Sequence, residues 1–289
     1  MMRNICLLTF ALLFTCCNTA PAQNKLQFSI PFTLVDNRPF IEVKIQNKTL
    51  HFILDCGATD VIDVTTARAL NLKLENETTT SGAGAKRMPS WETTVDTTRI
   101  GKMTLVKRDF NVVDLSEIKN KLHLPYLDGA IGYNFMKDYI VQFDYPNHTV
   151  NFYSAYAGKS GVPFSMYYHI PKLKATIDGK PATLIMDTGD RTALTVFNHY
   201  AESTGIKTRY PLSDTSITGY GIGGPIYART FILKQIGIGK QLIANVPSRI
   251  PMLKTGGFAD TQIDGSIGGG ILKRFKFTID YKKSLLYLE

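Results

Sequence analysis

The chain has 289 residues, a formal net charge of +9, 44% hydrophobic and 11% aromatic residues. That supply of core-forming side chains excludes a disordered chain, and the length suffices for two cores of ordinary size. The basic residues are scattered rather than run together, and no aromatic-basic module accompanies them, which argues against nucleic acid as a partner.

Residues 1–22 read as a secretory signal peptide. Arg3 supplies the positive start, Ile5 to Phe14 is an almost unbroken apolar run, and Ala20-Pro21-Ala22 offers a cleavage site before Gln23. The run is shorter than the roughly 20 residues a membrane span needs. Lipoprotein processing at Cys16 or Cys17 is the alternative, poorly matched by Leu13-Phe14-Thr15. Cleavage would leave Cys56 as the one cysteine, with no internal disulfide. The expected location is the periplasm or the extracellular medium, with no membrane span.

Strands dominate from Leu26 onward. Ile41, Val43 and Ile45 alternate with polar neighbours, and IEVKIQNKTLHFIL reads as a hairpin turning at Asn47-Lys48. Asp55-Cys56-Gly57-Ala58 follows, then a helical pattern over Thr65 to Leu74. A glycine-rich stretch covers Ser81 to Ala85, and Ser116 to Leu122 predicts another turn or two of helix. Asp128-Gly129-Ala130-Ile131-Gly132 and VQFDYPNHTVNFY close the first half. Ala155 to Gly161 is a small-residue linker.

The second half repeats the first. LKATIDGKPATLIM is a hairpin turning at Gly179-Lys180, and Asp187-Thr188-Gly189-Asp190 matches the first Asp-x-Gly turn 132 residues on. A short helix over Phe197 to Thr204 stops at Gly205. Glycines cluster from Gly219 to Gly224, and Asp264-Gly265-Ser266-Ile267-Gly268 and FTIDYKKSLLYLE repeat their counterparts at an offset of 136. The chain therefore divides into a segment 1–22 and two copies of one mainly β unit, 23–157 and 158–289.

One Asp-x-Gly turn is ordinary, because both residues favour turns. Two in equivalent places form a chemical unit. Phe52-Ile53-Leu54 and Leu184-Ile185-Met186 deliver each carboxylate from an apolar run, and a buried carboxylate without a partner costs on the order of several kcal/mol. Two-fold packing would bring Asp55 and Asp187 together, where two carboxyls share one proton and titrate as a pair. The ionised member can take a proton from water while the protonated member donates to a carbonyl oxygen.

On Asp55-Cys56-Gly57-Ala58-Thr59, on Asp187-Thr188-Gly189 and on Asp-Gly-x-Ile-Gly in both halves, the sequence resembles the pepsin-like and retropepsin-like aspartic proteases from about Leu26 to Glu289. The resemblance implies an all-β, two-lobed acid-protease fold with a few short helices. It implies Asp55 and Asp187 as catalytic residues, on active-site turns of Cys56, Gly57, Ala58 and of Thr188, Gly189, Asp190. Ile131, Gly132, Ile267 and Gly268 would thread beneath those turns. Gly82, Ala83 and Gly84, with Gly219, Tyr220 and Gly221, would form flaps over the cleft, Tyr220 lying over a bound peptide.

Two residues depart from the family pattern. Cys56 stands where Thr or Ser braces the opposite lobe, so that half of the brace is expected to be weaker. Asp190 stands where a small residue is usual. A third carboxylate should raise the pair's pKa values unless Arg191 neutralises it.

The expectation is a monomeric aspartic endopeptidase acting on peptides or proteins, with no metal and no cofactor. The alternative, motivated by Cys56 and Asp190, is a non-catalytic peptide-binding or sensor protein on the same fold. A cysteine enzyme finds no support in the dispersed His51, His123, His148, His169 and His199. Gly219-x-Gly-x-x-Gly224 has the letters of a dinucleotide motif, but Pro225-Ile226-Tyr227 leads into a strand rather than a helix.

Overall fold

A computed structural model describes residues 23–289; the expected signal segment, with Cys16 and Cys17, lies outside them. Among the described residues no helix is longer than six residues, and none is long and apolar enough to cross a membrane. The architecture is all-β and two-lobed.

The duplication read from the sequence reappears as strand order. In the first half the order is Arg38–Ile45, Lys48–Leu54, Gly129–Ile131, Val61–Asp63, Met103–Val113, Met88–Ile100, Glu75–Thr80. In the second it is Ile170–Ile177, Lys180–Asp187, Gly265–Gly268, Leu194–Val196, Gln241–Pro251, Gly224–Ile238, Ser216–Gly221. Each set curls on itself: Arg38–Ile45 also pairs with Met88–Ile100, and Ile170–Ile177 with Gly224–Ile238. Burial follows the period of two, with Ile41, Val43 and Ile45 inside and Glu42 and Lys44 outside.

The halves share one sheet. Lys25–Pro31, Thr149–Ala155 and Ile140–Asp144 continue into Lys276–Asp280, Leu285–Leu288 and Val162–Tyr167. The junction pairs Ile140–Asp144 with Lys276–Asp280, Gln142 opposite Thr278. Gln142 Nε2 donates to Thr278 Oγ1 at 3.1 Å. Beside it the buried rings of Phe143 and Phe277 stack at 4.8 Å, each burial contributing about 2–3 kcal/mol. Strands on either side of the 155–161 linker thus belong to this common sheet, which fixes how the two Asp-x-Gly turns face each other.

Three local expectations shift. The hairpin turns fall one residue earlier, on Gln46-Asn47 (φ 49° and 65°) and Asp178-Gly179 (φ 51° and 76°), the positive-φ pairs that match strand twist. The first helix covers only Val64–Ala69, capped by Asp63, whose carboxylate accepts from Thr65 N and Thr66 N. It ends because Asn71 turns left-handed (φ 53°) and Leu72 N bonds back to Ala67 O at 3.0 Å. The helix after the second turn is Asn198–Ser203, and beyond Gly205 (φ 74°) a further turn, Ile206–Arg209, begins.

Candidate active site

Each Asp-x-Gly turn ends a strand held from behind by the downstream glycine element. Lys48–Leu54 runs parallel to Gly129–Ile131, and Asp55 N donates to Ile131 O at 2.9 Å. Lys180–Asp187 runs parallel to Gly265–Gly268, placing Asp187 opposite Gly268. Ile131 and Ile267 are buried, and the glycines that follow let the turns close: Tyr133 N reaches Ala58 O at 2.8 Å and Gly269 N reaches Asp190 O at 2.7 Å. Asp128 and Asp264 act alike, accepting at 2.8 Å from His51 N and Thr183 N.

This scaffold brings Asp55 and Asp187 together, the glycine of each turn lying against the carboxyl of the other. Gly57 N donates to Asp55 Oδ1 at 2.7 Å, and Gly189 N to Asp187 Oδ1 at 2.8 Å. A Cβ on Gly57 would stand 2.6 Å from Asp187 Cγ, and one on Gly189 would strike the Asp55 carboxylate. Only glycine leaves room for the pair. Burial raises Asp55, against the pull of hydrogen bonds from Gly57, Asp187 and Gly189 and of His169. Burial, then the charges of Asp55 and Asp190, push Asp187 well above the usual carboxylate range. One carboxyl of the two therefore keeps its proton at pH values where an isolated aspartate has lost it.

The brace beneath the pair is present on both sides. Thr188 Oγ1 accepts from Cys56 N at 2.9 Å and donates to Leu54 O at 2.8 Å. Cys56 Sγ donates to Met186 O at 3.3 Å, the equivalent carbonyl of the other strand. The thiol is fully buried and occupies the hydroxyl's place with a longer, weaker bond.

Asp190 is ion-paired, but not with Arg191, which pairs instead with Asp36 at 3.1 Å, and the Asp190 charge still contributes to raising Asp187. Arg249 Nη2 lies 3.0 Å from Asp190 Oδ2, both side chains almost wholly buried. Arg249 is fixed by Thr195 Oγ1 at 2.9 Å, and Thr192 N donates to Asp190 Oδ1 at 3.0 Å. Burial pushes Asp190 up, but Arg249, Thr192 and Arg38 outweigh it and hold the carboxyl below its ordinary value.

The glycine-rich segments meet over the dyad. Gly84 N donates to Ile222 O at 2.9 Å and Lys86 N to Gly223 O at 3.0 Å. Ile222 packs against the first lobe's apolar cluster that includes Phe40, Ile53, Val61 and Leu127, while Ala83 packs against the second lobe's cluster that includes Phe197, Ile226 and Phe258. Two cavities flank the dyad beneath these tips. One of about 220 Å³ holds Gly82, Ala83, Gly219, Tyr220 and Gly221 in its wall; the other, about 740 Å³, is bordered by Gly57, Tyr167, His169 and Asp187. Arg38, His169 and Arg249 were not singled out from the sequence. Arg38 Nε donates to Gly189 O at 2.7 Å, and a His169 ring nitrogen lies 3.2 Å from Gly57 O. For Arg249 the signal was a charge inside the otherwise apolar end of a strand, VPSRIP.

Residues 41–135 match the aspartyl protease family model. No curated protein matches the chain. Among solved structures, the chain is similar to the aspartic proteinase from Irpex lacteus, with 12% identity and a TM-score of 0.57 over 90% of this chain and 96% of that one. It also aligns with a retropepsin-like aspartic protease from Rickettsia conorii, with 22% identity and a TM-score of 0.32 over 44% of this chain and 87% of that one.

Proposed function

We propose, for a chain that carries the pepsin-like aspartic protease fold and whose residues 41–135 match the aspartyl protease family, that it is an aspartic endopeptidase with Asp55 and Asp187 as its catalytic pair. The observation that supports this reading is the close approach of the two turns, in which the Gly57 position abuts the Asp187 carboxyl and the Gly189 position the Asp55 carboxyl, each carboxyl also accepting a backbone N–H from the glycine two residues on.

A singly protonated pair has both roles that amide hydrolysis needs. The ionised carboxylate accepts a proton from a water lying between the two, and the water oxygen attacks the peptide carbonyl carbon. The protonated carboxyl donates to the carbonyl oxygen, giving a tetrahedral diol. The carboxyl that took the water proton then passes it to the nitrogen while a diol hydroxyl returns its proton to the other carboxylate. The C–N bond breaks, and the amine and the carboxylic acid leave a pair that again holds one proton. The Cys56 and Thr188 brace keeps the turns from drifting, which matters because a misplacement of about 1 Å can cost on the order of 10²-fold. One chain supplies both aspartates, so the enzyme acts as a monomer, exported by the segment 1–22.

The test is peptide digestion from acid to neutral pH followed by mass spectrometry. Asp55→Asn and Asp187→Asn should each lower cleavage on the order of 10³-fold or more, and a statine-type transition-state analogue should inhibit. Binding of peptides without cleavage at any pH would instead favour a peptide-binding or sensor protein.

A further inference from the structure

The two cavities flanking the dyad are equivalent by the duplication, yet they differ in charge. In the smaller, Ile53, Val61 and Leu127 face Arg38, Arg191 and Arg249. Arg191 and Arg249 also line an adjoining cavity of about 620 Å³, to which Asn37, Lys273 and Arg274 contribute and no Asp or Glu does. Asp36 takes both Arg38, at 2.7 Å, and Arg191, while Asp190 takes Arg249. Lys273 Nζ donates only to the neutral Asn37 Oδ1, at 2.8 Å, and Arg274 has no ion-pair partner among the described residues. Five cations thus face Asp36 and Asp190 and, at the inner end of the smaller cavity, the Asp55 and Asp187 pair with its one shared proton, which leaves a cationic excess centred on Arg191, Lys273 and Arg274. Across the dyad, the cavity of about 740 Å³ sets only Arg87 and His169 against Asp260 and the same Asp187, with no comparable excess.

We infer that the substrate peptide places an aspartate or glutamate along Arg191, Lys273 and Arg274, next to an apolar residue seated beside Ile53 and Leu127. This rests on the proteolytic reading above and names its substrate class. The apolar wall takes the desolvated side chain. The cationic wall, open to solvent at Lys273 and Arg274, attracts a carboxylate and repels a basic residue, which discriminates more than it tightens. Screening should erase the preference at high salt.

The experiment profiles cleavage of a proteome-derived peptide library by wild type and by Lys273→Glu/Arg274→Glu, two exposed sites outside the catalytic machinery. Wild type should show acidic residues enriched on one side of the cleavage point. The charge-reversed variant should lower kcat/KM for a selected Glu peptide roughly fivefold, leaving its Gln sibling within about twofold. The same library is also passed over immobilised Asp187→Asn protein, and retained peptides are sequenced. If wild type cleaves nothing but retained peptides are acid-enriched, and the enrichment vanishes in the charge-reversed background, the proteolytic reading falls and the charge inference stands. Equal treatment of Glu and Gln peptides in both assays, or an enrichment that survives the charge reversal, overturns it.

Discussion

Asp190 and Arg249 form an ion pair of 3.0 Å on the shoulder of the second Asp-x-Gly turn, both side chains less than a tenth exposed. Removing one partner strands the other charge. Arg249→Met is therefore expected to destabilise the fold by about 3–5 kcal/mol, while Asp190→Ala/Arg249→Met recovers most of that loss. Urea denaturation of the two single variants and the double variant closes the cycle. The pair also has a pH signature. Asp190 is held below its ordinary value, so its contribution is present above the unfolded carboxylate value and is lost as pH falls through the folded one. Equal stability of wild type and Arg249→Met would show that the pair is inconsequential.

Asp187 behaves in the opposite sense. Burial first, and then the charges of Asp55 and Asp190, raise it well above the model-compound value of 3.8. A raised carboxyl stabilises the fold while protonated and loses that contribution as pH climbs toward the folded value. Asp187→Asn, neutral at every pH, should thus melt above wild type at pH 8, with the difference vanishing or reversing near pH 3. Catalysis requires one proton on the pair, so the alkaline limb of the wild-type kcat profile should lie above the ordinary carboxylate range. Thermal melts and a pH–rate profile check both; a variant melting no higher at pH 8 contradicts the raised value.

Cys56 should be chemically silent. Burial, followed by the neighbouring Asp55 and Asp187 charges, pushes its thiol up, and the side chain has no exposed surface. Iodoacetamide at pH 8 should leave Cys56 unlabelled in the native protein and modify it after unfolding in guanidinium. Cys56→Thr supplies a stronger donor to Met186 O and should preserve or raise activity. Cys56→Ala leaves that carbonyl without its partner and should cost about 1 kcal/mol. Rapid native labelling, or a large activity loss in Cys56→Thr, would point to a role for the thiol itself.

What the sequence made legible was what it says twice. The paired hairpins, Asp-x-Gly turns and Asp-Gly-x-Ile-Gly elements predict one fold repeated, and the seven-strand order recurs in both halves. The approach of Asp55 to Asp187 follows from that symmetry. Asp190 and Arg249 have no such echo. They lie 59 residues apart and meet because Leu194–Val196 pairs in parallel with Gln241–Pro251, setting Thr195 opposite Arg249. Arg191, adjacent in sequence, was the natural guess, but its side chain leaves for Asp36. The hairpin turns slipped by one residue because composition marks a lysine-flanked turn without revealing that Gln46 takes a positive φ.

The meeting of the two glycine-rich tips makes the last prediction. Gly84 N bonds to Ile222 O, Gly257 N to Gly82 O at 2.8 Å, and Thr255 Oγ1 to Ala85 O at 2.9 Å. A Cβ at Gly84 would run into the Gly223–Gly224 backbone, which has no flexible side chain to move aside. Gly84→Ala must therefore lift the first tip from the second, drawing Ala83 and Ile222 from their apolar seats. Since both tips lie outside the barrels' cores, stability should stay within about 1 kcal/mol of wild type. The cleft would close less completely over a bound peptide. We expect kcat/KM to fall on the order of 10²-fold and trypsin to cut faster after Lys86 and Arg87. An unaltered kcat/KM together with faster trypsin cleavage would mean that the tips part freely and their contact contributes nothing to turnover.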